Sequence, residues 1–247
     1  MNRRVAAVLA AGIALALGAA SGPGSAHGCV TGDELWFRAA DGTRLAGHRF
    51  GGMLPKGRTA VVLAHMSVGD LCQWAPYARN LASKGFFVFP FDFRGHGFAQ
   101  GGQDHARAPA DVAAAIRAVR RLGARKVVVV GASLGGIAAL IAAPTVRPQL
   151  AGVVAVSAPA EIVGELNAVP AAGRLRVPTL YVAASEDQNP PYDFAADGQK
   201  LYDATATPEK RLELVPGSQH GVFLVAGSTR VRTLLQRFIR DPTGSVR

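Results

Sequence analysis

The chain has 247 residues, of which 49% are hydrophobic and 18% are charged. This composition is typical of a globular protein and excludes a disordered one, and the length allows one domain or two small ones. The formal net charge is +10, but the basic residues are scattered and no nucleic-acid-binding motif accompanies them. We therefore expect a basic surface and no nucleic-acid partner.

Residues 1–26 have the order of regions found in a secretory signal peptide. A basic start at residues 2–4 precedes an apolar run at residues 5–20, and the small residues Gly24 and Ala26 then suit a signal peptidase. The apolar run is 16 residues long, which is shorter than the roughly 20 that a membrane-spanning helix needs. We predict that this segment is removed, that the protein is secreted or extracytoplasmic, and that the mature chain has no membrane span.

Two cysteines, Cys29 and Cys72, follow the predicted signal peptide. An exported protein meets oxidising conditions, so we expect a disulfide that tethers the start of the mature chain to its body. Two unpaired thiols, or a lipid-modified Cys29, are the alternatives.

Hydrophobic patterning predicts the strands. Residues 34–38 and 43–50 alternate around Asp41-Gly42, which is typical of a hairpin. The later apolar and β-rich runs suit strands that are buried on both faces, as in a parallel sheet. These runs occupy residues 59–64, 86–91, 126–130, 152–156, 179–183 and 212–215.

Helical patterns lie between these runs, at residues 72–84, 108–122, 133–143, 192–202 and 231–239. Alternation of strands and helices indicates βαβ units. The predicted fold is therefore α/β, a three-layer α/β/α sandwich with a mostly parallel central sheet and an N-terminal antiparallel hairpin, in one domain at residues 30–241. Residues 157–178 are too few for a lid domain, so we expect a rather open site.

Ser133 is the candidate nucleophile. The pattern G-x-S-x-G runs from Gly131 to Gly135, directly after a predicted strand and at the start of a predicted helix, as this motif requires. At such a tight turn the residues two positions away must lack side chains, and the serine Oγ points outward. The N–H of Leu134 would lie at the helix N-terminus, where it can stabilise an oxyanion. A serine that only caps the helix is the alternative.

His220 is the candidate base, because a serine hydroxyl is a weak nucleophile until a base takes its proton. His220 follows the last predicted strand, in a loop where open α/β sheets place their chemistry. We expect the histidines that precede the serine in the mature body to be structural or on the surface; apart from His27 they are His48, His65, His96 and His105.

A carboxylate that orients the imidazole is expected between the serine and the histidine. Glu186 and Asp187 both lie just beyond the end of a predicted strand, and either residue can fill this role. The second oxyanion donor of such a site comes from the loop after the strand at residues 59–64. The backbone N–H of Ser67 is our choice, with that of Met66 as the alternative.

These residues, taken in order, resemble the α/β-hydrolase superfamily over nearly all of the mature chain. The landmarks of the resemblance are His65-Met66 before Trp74, the loop from Asp92 to Gly97, the turn at Ser133, and the late Asp187 and His220. The resemblance places the acid at Asp187 and implies that the loop at residues 92–97 is structural. Relatives usually have glycine where this chain has Met66, so we expect this side chain to narrow the pocket and to alter the oxyanion geometry.

The resemblance implies acyl-enzyme hydrolysis, in which Ser133 attacks a carbonyl, His220 shuttles the proton and water releases the acid. We expect an exported carboxylic-ester hydrolase that uses no cofactor and no metal and acts on a small-molecule substrate. A thioesterase, lactonase or amidase of the same fold, or a non-catalytic binding protein that keeps the fold, are the alternatives, because one fold serves many functions.

Overall fold

The computed structural model describes residues 28–30, 34–52 and 59–246, so the predicted signal peptide at residues 1–26 lies outside the described part. The strands of that part are β1 (Leu35–Arg38), β2 (Arg44–Gly47), β3 (Thr59–Ala64), β4 (Phe87–Phe91), β5 (Lys126–Ala132), β6 (Gly152–Val156), β7 (Glu161–Ile162), β8 (Leu166–Asn167), β9 (Thr179–Ala184), β10 (Gln188–Asn189), β11 (Tyr192–Asp193) and β12 (Lys210–Val215). Its α-helices are α1 (Ala75–Ala82), α2 (Ala108–Arg121), α3 (Leu134–Ala142), α4 (Val169–Ala172), α5 (Phe194–Ala204), α6 (Gly221–Gly227) and α7 (Thr229–Arg240).

Eight of these strands form one twisted sheet in the order β1-β2-β4-β3-β5-β6-β9-β12. The β1–β2 and β2–β4 pairs are antiparallel, whereas every later pair, from β4–β3 to β9–β12, is parallel. The predicted α/β fold with a mostly parallel sheet and an N-terminal antiparallel hairpin is therefore confirmed. Its parallel strands start at the same edge, so the loops after them meet at the opposite edge.

Helices cover both faces of the sheet. Helices α2 and α3 pack on one face, where Ile116 and Leu140 are fully buried. Helices α1, α6 and α7 pack on the other face, where Leu81 and Leu235 are fully buried. Strands enclosed in this way need apolar residues at every position rather than at alternate ones, which explains the continuous apolar runs in the sequence.

A disulfide joins Cys29 to Cys72, as predicted. It ties the first described residues to the short 3-10 turn Leu71–Trp74, which leads into α1. Among the described residues, the structure contains no helix of the length and apolarity that a membrane crossing requires.

The segment between β6 and β9 differs in detail from a plain connection. It contains the two-stranded β7–β8 hairpin and the single turn α4, which are too short to give a periodic signal in the sequence. Helix α6 was not predicted either, because its apolar sequence between two glycines has no polar face. The segment forms no separate lid domain, in agreement with its length.

Candidate active site

Ser133 alone makes the turn between β5 and α3. Its backbone has φ 51° and ψ −116°, a conformation that residues with a side chain rarely adopt and that costs of the order of 1–3 kcal/mol. The Ser133 N–H donates to the carbonyl of Val156 at 2.9 Å, and the Ser133 carbonyl accepts from Gly136 at 2.9 Å and Ile137 at 3.1 Å. The next strand and the first turn of α3 therefore hold the serine in this strained form.

The glycines on either side of Ser133 are required by close backbone approach. A Cβ at Gly131 would lie 2.1 Å from the carbonyl oxygen of Gly135, and a Cβ at Gly135 would lie 2.2 Å from the carbonyl oxygen of Ala64. Both distances are far below van der Waals contact, so no side chain fits at either position. The G-x-S-x-G spacing is thus a direct consequence of how tightly β5 turns into α3.

Asp187 and His220 meet at the ends of the neighbouring strands β9 and β12. His220 Nδ1 lies 3.0 Å from Asp187 Oδ1 and 3.1 Å from Oδ2. Because a carboxylate only accepts hydrogen bonds, the proton of the neutral imidazole is on Nδ1 and the lone pair is on Nε2. Asp187 is 2% exposed, whereas the His220 side chain is 30% exposed, so the imidazole is accessible and its partner is not.

Ser133 and His220 line the same cavity, which has a volume of about 320 Å³. Ser67 and Leu134 also line it, so the cavity contains four of the five predicted site residues, and Asp187 contacts it through His220. The other described lining residues are mostly apolar or aromatic. They are Met66, Val68, His105, Pro159, Ile162, Asn189, Tyr192, Phe194 and Phe223.

Gln73 organises the loop that follows β3. Its Oε1 accepts from the Met66 N–H at 3.0 Å, and its Nε2 donates to the carbonyl of Val68. The Met66 N–H is thereby occupied. The N–H groups of Ser67 and Leu134 have no acceptor among the described residues, and both residues line the cavity.

Comparison with known proteins shows a shared fold. Residues 59–172 match a family model described as "alpha/beta hydrolase fold". The structure is similar to that of the esterase Pf2001 of Pyrococcus furiosus, with a TM-score of 0.70 and 16% identity, over 84% of this chain and 91% of that chain. The chain has the α/β-hydrolase fold. This fold supports a hydrolase.

Two further proteins are similar to this chain. The enol-lactonase of Burkholderia xenovorans LB400 has a TM-score of 0.67 and 17% identity, over 84% of this chain and 100% of that chain. In sequence, the protein YfhR of Escherichia coli O157:H7, which is itself uncharacterized, is 27% identical over 215 residues, or 76% of this chain and 73% of YfhR. The structural similarity shows the shared fold alone.

His65 and His96 make contacts of a different kind from those of His220. His65 is fully buried, with Nδ1 at 2.6 Å from the Met66 carbonyl and Nε2 accepting from the Phe93 N–H at 3.0 Å. Burial lowers the pKa of His65 to about 4, so this ring is neutral near pH 7. His96 Nδ1 lies 2.9 Å from the Gly69 carbonyl. Both rings thus support the loop after β3.

The loop at residues 92–97 is structural. Asp92 accepts from the Leu71 N–H at 2.8 Å and from the Phe98 N–H at 3.0 Å, and a Cβ at Gly97 would lie 2.3 Å from Asp92 Oδ2. The Arg94 guanidinium forms an ion pair with Asp111 at 2.6 Å. These bonds connect the loop to the turn Leu71–Trp74 and to α2.

Sequence reasoning missed the rim of the cavity. His105 Nδ1 pairs with Glu165 of the β7–β8 turn at 2.8 Å, and the Phe194 ring centroid lies 4.3 Å from that of His220. Phe223 comes from α6 and is 62% exposed. An aromatic residue soon after the acid was the one available signal, and it is too common to single out Phe194.

Proposed function

We propose that this protein is an exported serine hydrolase that acts on carboxylic esters through an acyl-enzyme at Ser133. The observation that carries the proposal is the pair of hydrogen-bond distances between His220 and buried Asp187, at a cavity that the strained Ser133 also lines. A strained serine, an oriented imidazole and a buried carboxylate at one sheet edge are the parts of a serine-hydrolase triad.

The proposed first half-reaction forms the acyl-enzyme. Ser133 Oγ attacks the ester carbonyl carbon while its proton passes to His220 Nε2, and Asp187 stabilises the resulting imidazolium. The carbonyl oxygen becomes an oxyanion that accepts hydrogen bonds from the N–H groups of Leu134 and Ser67. The imidazolium then gives its proton to the departing alcohol oxygen as the C–O bond breaks.

The second half-reaction releases the acid. His220 takes a proton from a water molecule, whose oxygen attacks the acyl carbon attached to Ser133. The same two N–H groups stabilise the second oxyanion, and the proton returns from His220 to Ser133 Oγ as the acyl group leaves. The enzyme is thereby restored with its original protonation.

The lining of the cavity supports an uncharged substrate. None of the described lining residues is Asp, Glu, Lys or Arg, although the whole chain carries a net charge of +10. A carboxylate- or phosphate-bearing substrate would lose its hydration there without gaining a counter-charge. The volume of about 320 Å³ favours small or medium acyl groups.

Fluorophosphonate labelling of the purified protein tests the proposal. We expect labelling of the wild type at Ser133 and none of Ser133→Ala, and Ser185→Ala serves as a control because Ser185 is an exposed serine just after β9. Equal labelling of the wild type and Ser133→Ala would exclude Ser133 as the nucleophile. Mass spectrometry of the exported protein tests the signal peptide, and we expect it to lack residues 1–26.

A substrate panel separates the alternatives. The panel consists of nitrophenyl esters of increasing chain length, a thioester, an amide and a lactone, the last because an enol-lactonase shares this fold. We expect the highest kcat/KM for esters. Preference for another carbonyl class would replace the ester proposal within the same mechanism. No turnover, with ligand binding that survives Ser133→Ala, would favour the non-catalytic binding protein.

A further inference from the structure

A second cavity lies between the edge strand β12 and helix α7. Its volume is about 510 Å³, and its described lining residues share none with those of the cavity at Ser133. Three arginines and one carboxylate line it, namely Arg211, Arg230, Arg237 and Glu213. We call it the arginine groove. The groove is polar and basic, whereas the cavity at Ser133 is mostly apolar and has no arginine or carboxylate among its described lining residues. The two cavities therefore fit different ligands.

Glu213 positions two of the three guanidinium groups. It accepts from Arg211 Nη2 at 2.7 Å and from Arg230 Nη2. Burial acts to raise the pKa of Glu213, but the hydrogen bonds from Arg211 and Arg230 outweigh it, so the pKa lies below its ordinary value. Glu213 is therefore ionised at neutral pH, and its single negative charge pairs with the positive charges of two arginines.

Arg237 adds a third guanidinium on the same side of α7 as Arg230. The two residues are seven apart, which is two helical turns. The Arg237 side chain has no hydrogen bond or ion pair with any described residue, and it is exposed. Three arginines and one glutamate give the groove a local charge of +2. Most of the N–H donors of its guanidinium groups have no acceptor in the described part of the chain.

Three hydroxyl groups, those of Thr229, Thr233 and Ser245, complete the polar lining. Thr233 projects from α7 between Arg230 and Arg237, and Ser245 lies in the segment after α7, where its carbonyl accepts from Arg211 Nη1 at 3.4 Å. Guanidinium forks facing one space, with hydroxyl donors beside them, match the several acceptor oxygens of a phosphate group. A carboxylate would neutralise only half of the local charge and would use fewer of these donors.

We propose that the arginine groove binds an organic phosphate, with the phosphate group on Arg230, Arg237 and Arg211. The volume of the groove lies within the range of about 300–1,000 Å³ that is usual for small-molecule sites, so it accommodates more than the phosphate itself. A soluble phosphate ester and the headgroup of an anionic phospholipid share this chemistry. The proposal is independent of the one made for Ser133.

Binding to the purified exported protein tests the proposal with two probes. Glycerol 3-phosphate is titrated by calorimetry, and phosphatidylglycerol vesicles are compared with phosphatidylcholine vesicles by co-sedimentation. The variant is Arg237→Gln, which leaves the pairs of Glu213 intact. The matched control is Arg117→Gln, which removes the same charge from an exposed helix position on the opposite face of the sheet. Unchanged melting temperatures show that both variants are folded.

We expect Arg237→Gln to weaken binding about tenfold, as loss of one hydrogen bond to a charged group does, and Arg117→Gln to leave it within twofold. Binding of glycerol 3-phosphate assigns a soluble phosphate ester, and binding of phosphatidylglycerol vesicles alone assigns a lipid headgroup. No binding of either probe, or equal weakening in both variants, overturns the proposal. Ester hydrolysis should be unchanged in both variants.

Discussion

Two adjacent carboxylates after β9 occupy opposite environments. Asp187 is buried and faces the imidazole of His220, whereas Glu186 is exposed. Burial removes water that would compete for the carboxylate, so the hydrogen bond to Nδ1 orients the ring more firmly. The residues alone did not decide whether Glu186 or Asp187 is the acid. Both follow the same strand, and a change of one position reverses which side chain points inward.

Replacement of Asp187 by asparagine tests the assignment of the acid. The amide of Asp187→Asn can donate to Nδ1, which favours the tautomer with the proton on Nε2 and blocks proton transfer from Ser133. We expect kcat for ester hydrolysis to fall by about 10²- to 10⁴-fold. Glu186→Gln is the matched control and should retain wild-type kcat. If Glu186→Gln gave the larger loss, Asp187 would not be the acid.

His65 makes a pH-dependent contribution to stability. Burial holds its pKa at about 4, whereas an unfolded histidine titrates near 6.5. Between these values the unfolded chain binds one more proton than the folded protein, so the contribution is present above pH about 6.5 and is lost as the pH falls towards about 4. The full difference corresponds to about 3 kcal/mol.

Urea unfolding at pH 7 and pH 4.5 measures this contribution. We expect the free energy of unfolding to decrease less from pH 7 to pH 4.5 in His65→Gln than in the wild type, since glutamine takes up no proton. Asp92, His96 and Asp70, whose charges also act on His65, are present in both proteins and so cancel in the comparison. Equal slopes would show that His65 does not cause the pH dependence.

At the scale of the element, the loop after β3 is shaped by a side chain from the next turn. Gln73 accepts from the Met66 N–H and donates to the Val68 carbonyl. Gly69 leaves room for it, because a Cβ there would lie 2.5 Å from Gln73 Nε2. The loop thus keeps Ser67 as its free donor although Met66 replaces the usual glycine. Such a contact across seven residues has no local sequence signature, which is why Gln73 was not predicted.

Substitution of Gln73 tests whether it positions the second oxyanion donor. In Gln73→Leu the Met66 N–H and the Val68 carbonyl lose their partner, so the loop is free to shift and Ser67 points less accurately at the oxyanion. We expect kcat to fall about tenfold with little change in KM, which is less than the 10²–10³ typical of deleting a donor outright. Gln73→Glu keeps the acceptor for the Met66 N–H, so its kcat should fall less than that of Gln73→Leu. Unchanged kcat in Gln73→Leu would assign Gln73 a structural role only.

Strands buried on both faces and the longer helices were predicted well, whereas the short surface elements were not. The runs that became β3 and β6 have the predicted bounds, because enclosure by helices demands an apolar residue at every position. The β7–β8 hairpin and α4 contain too few residues for any periodicity. These short elements carry part of the cavity rim, so the shape of the entrance could not be read from the sequence.

At the scale of the whole molecule, strand order brings the site together. Asp187 and His220 follow the adjacent strands β9 and β12, and Ser133 follows β5, two strands away from β9 in the sheet. The sequence order of the three residues could be predicted, but their separation depends on how the strands are arranged and twisted. The parallel register from β5 to β12 supplies that information.

The Cys29–Cys72 disulfide joins chain positions 43 residues apart. Closing a loop of this length removes conformational entropy from the unfolded chain that is worth up to about 4 kcal/mol.

We expect the double variant Cys29→Ser/Cys72→Ser to lose about 2–4 kcal/mol in free energy of unfolding, measured with urea. Dithiothreitol should lower the free energy of unfolding of the wild type to that of the double variant. It should not change the free energy of unfolding of the double variant, which is the control for other effects of the reductant. An equal effect on both proteins, or none on the wild type, would contradict a stabilising bridge. Cys72 lies beside Gln73 in the turn Leu71–Trp74. A loss of kcat on reduction, under conditions in which the protein stays folded, would therefore show that the bridge also affects the loop after β3.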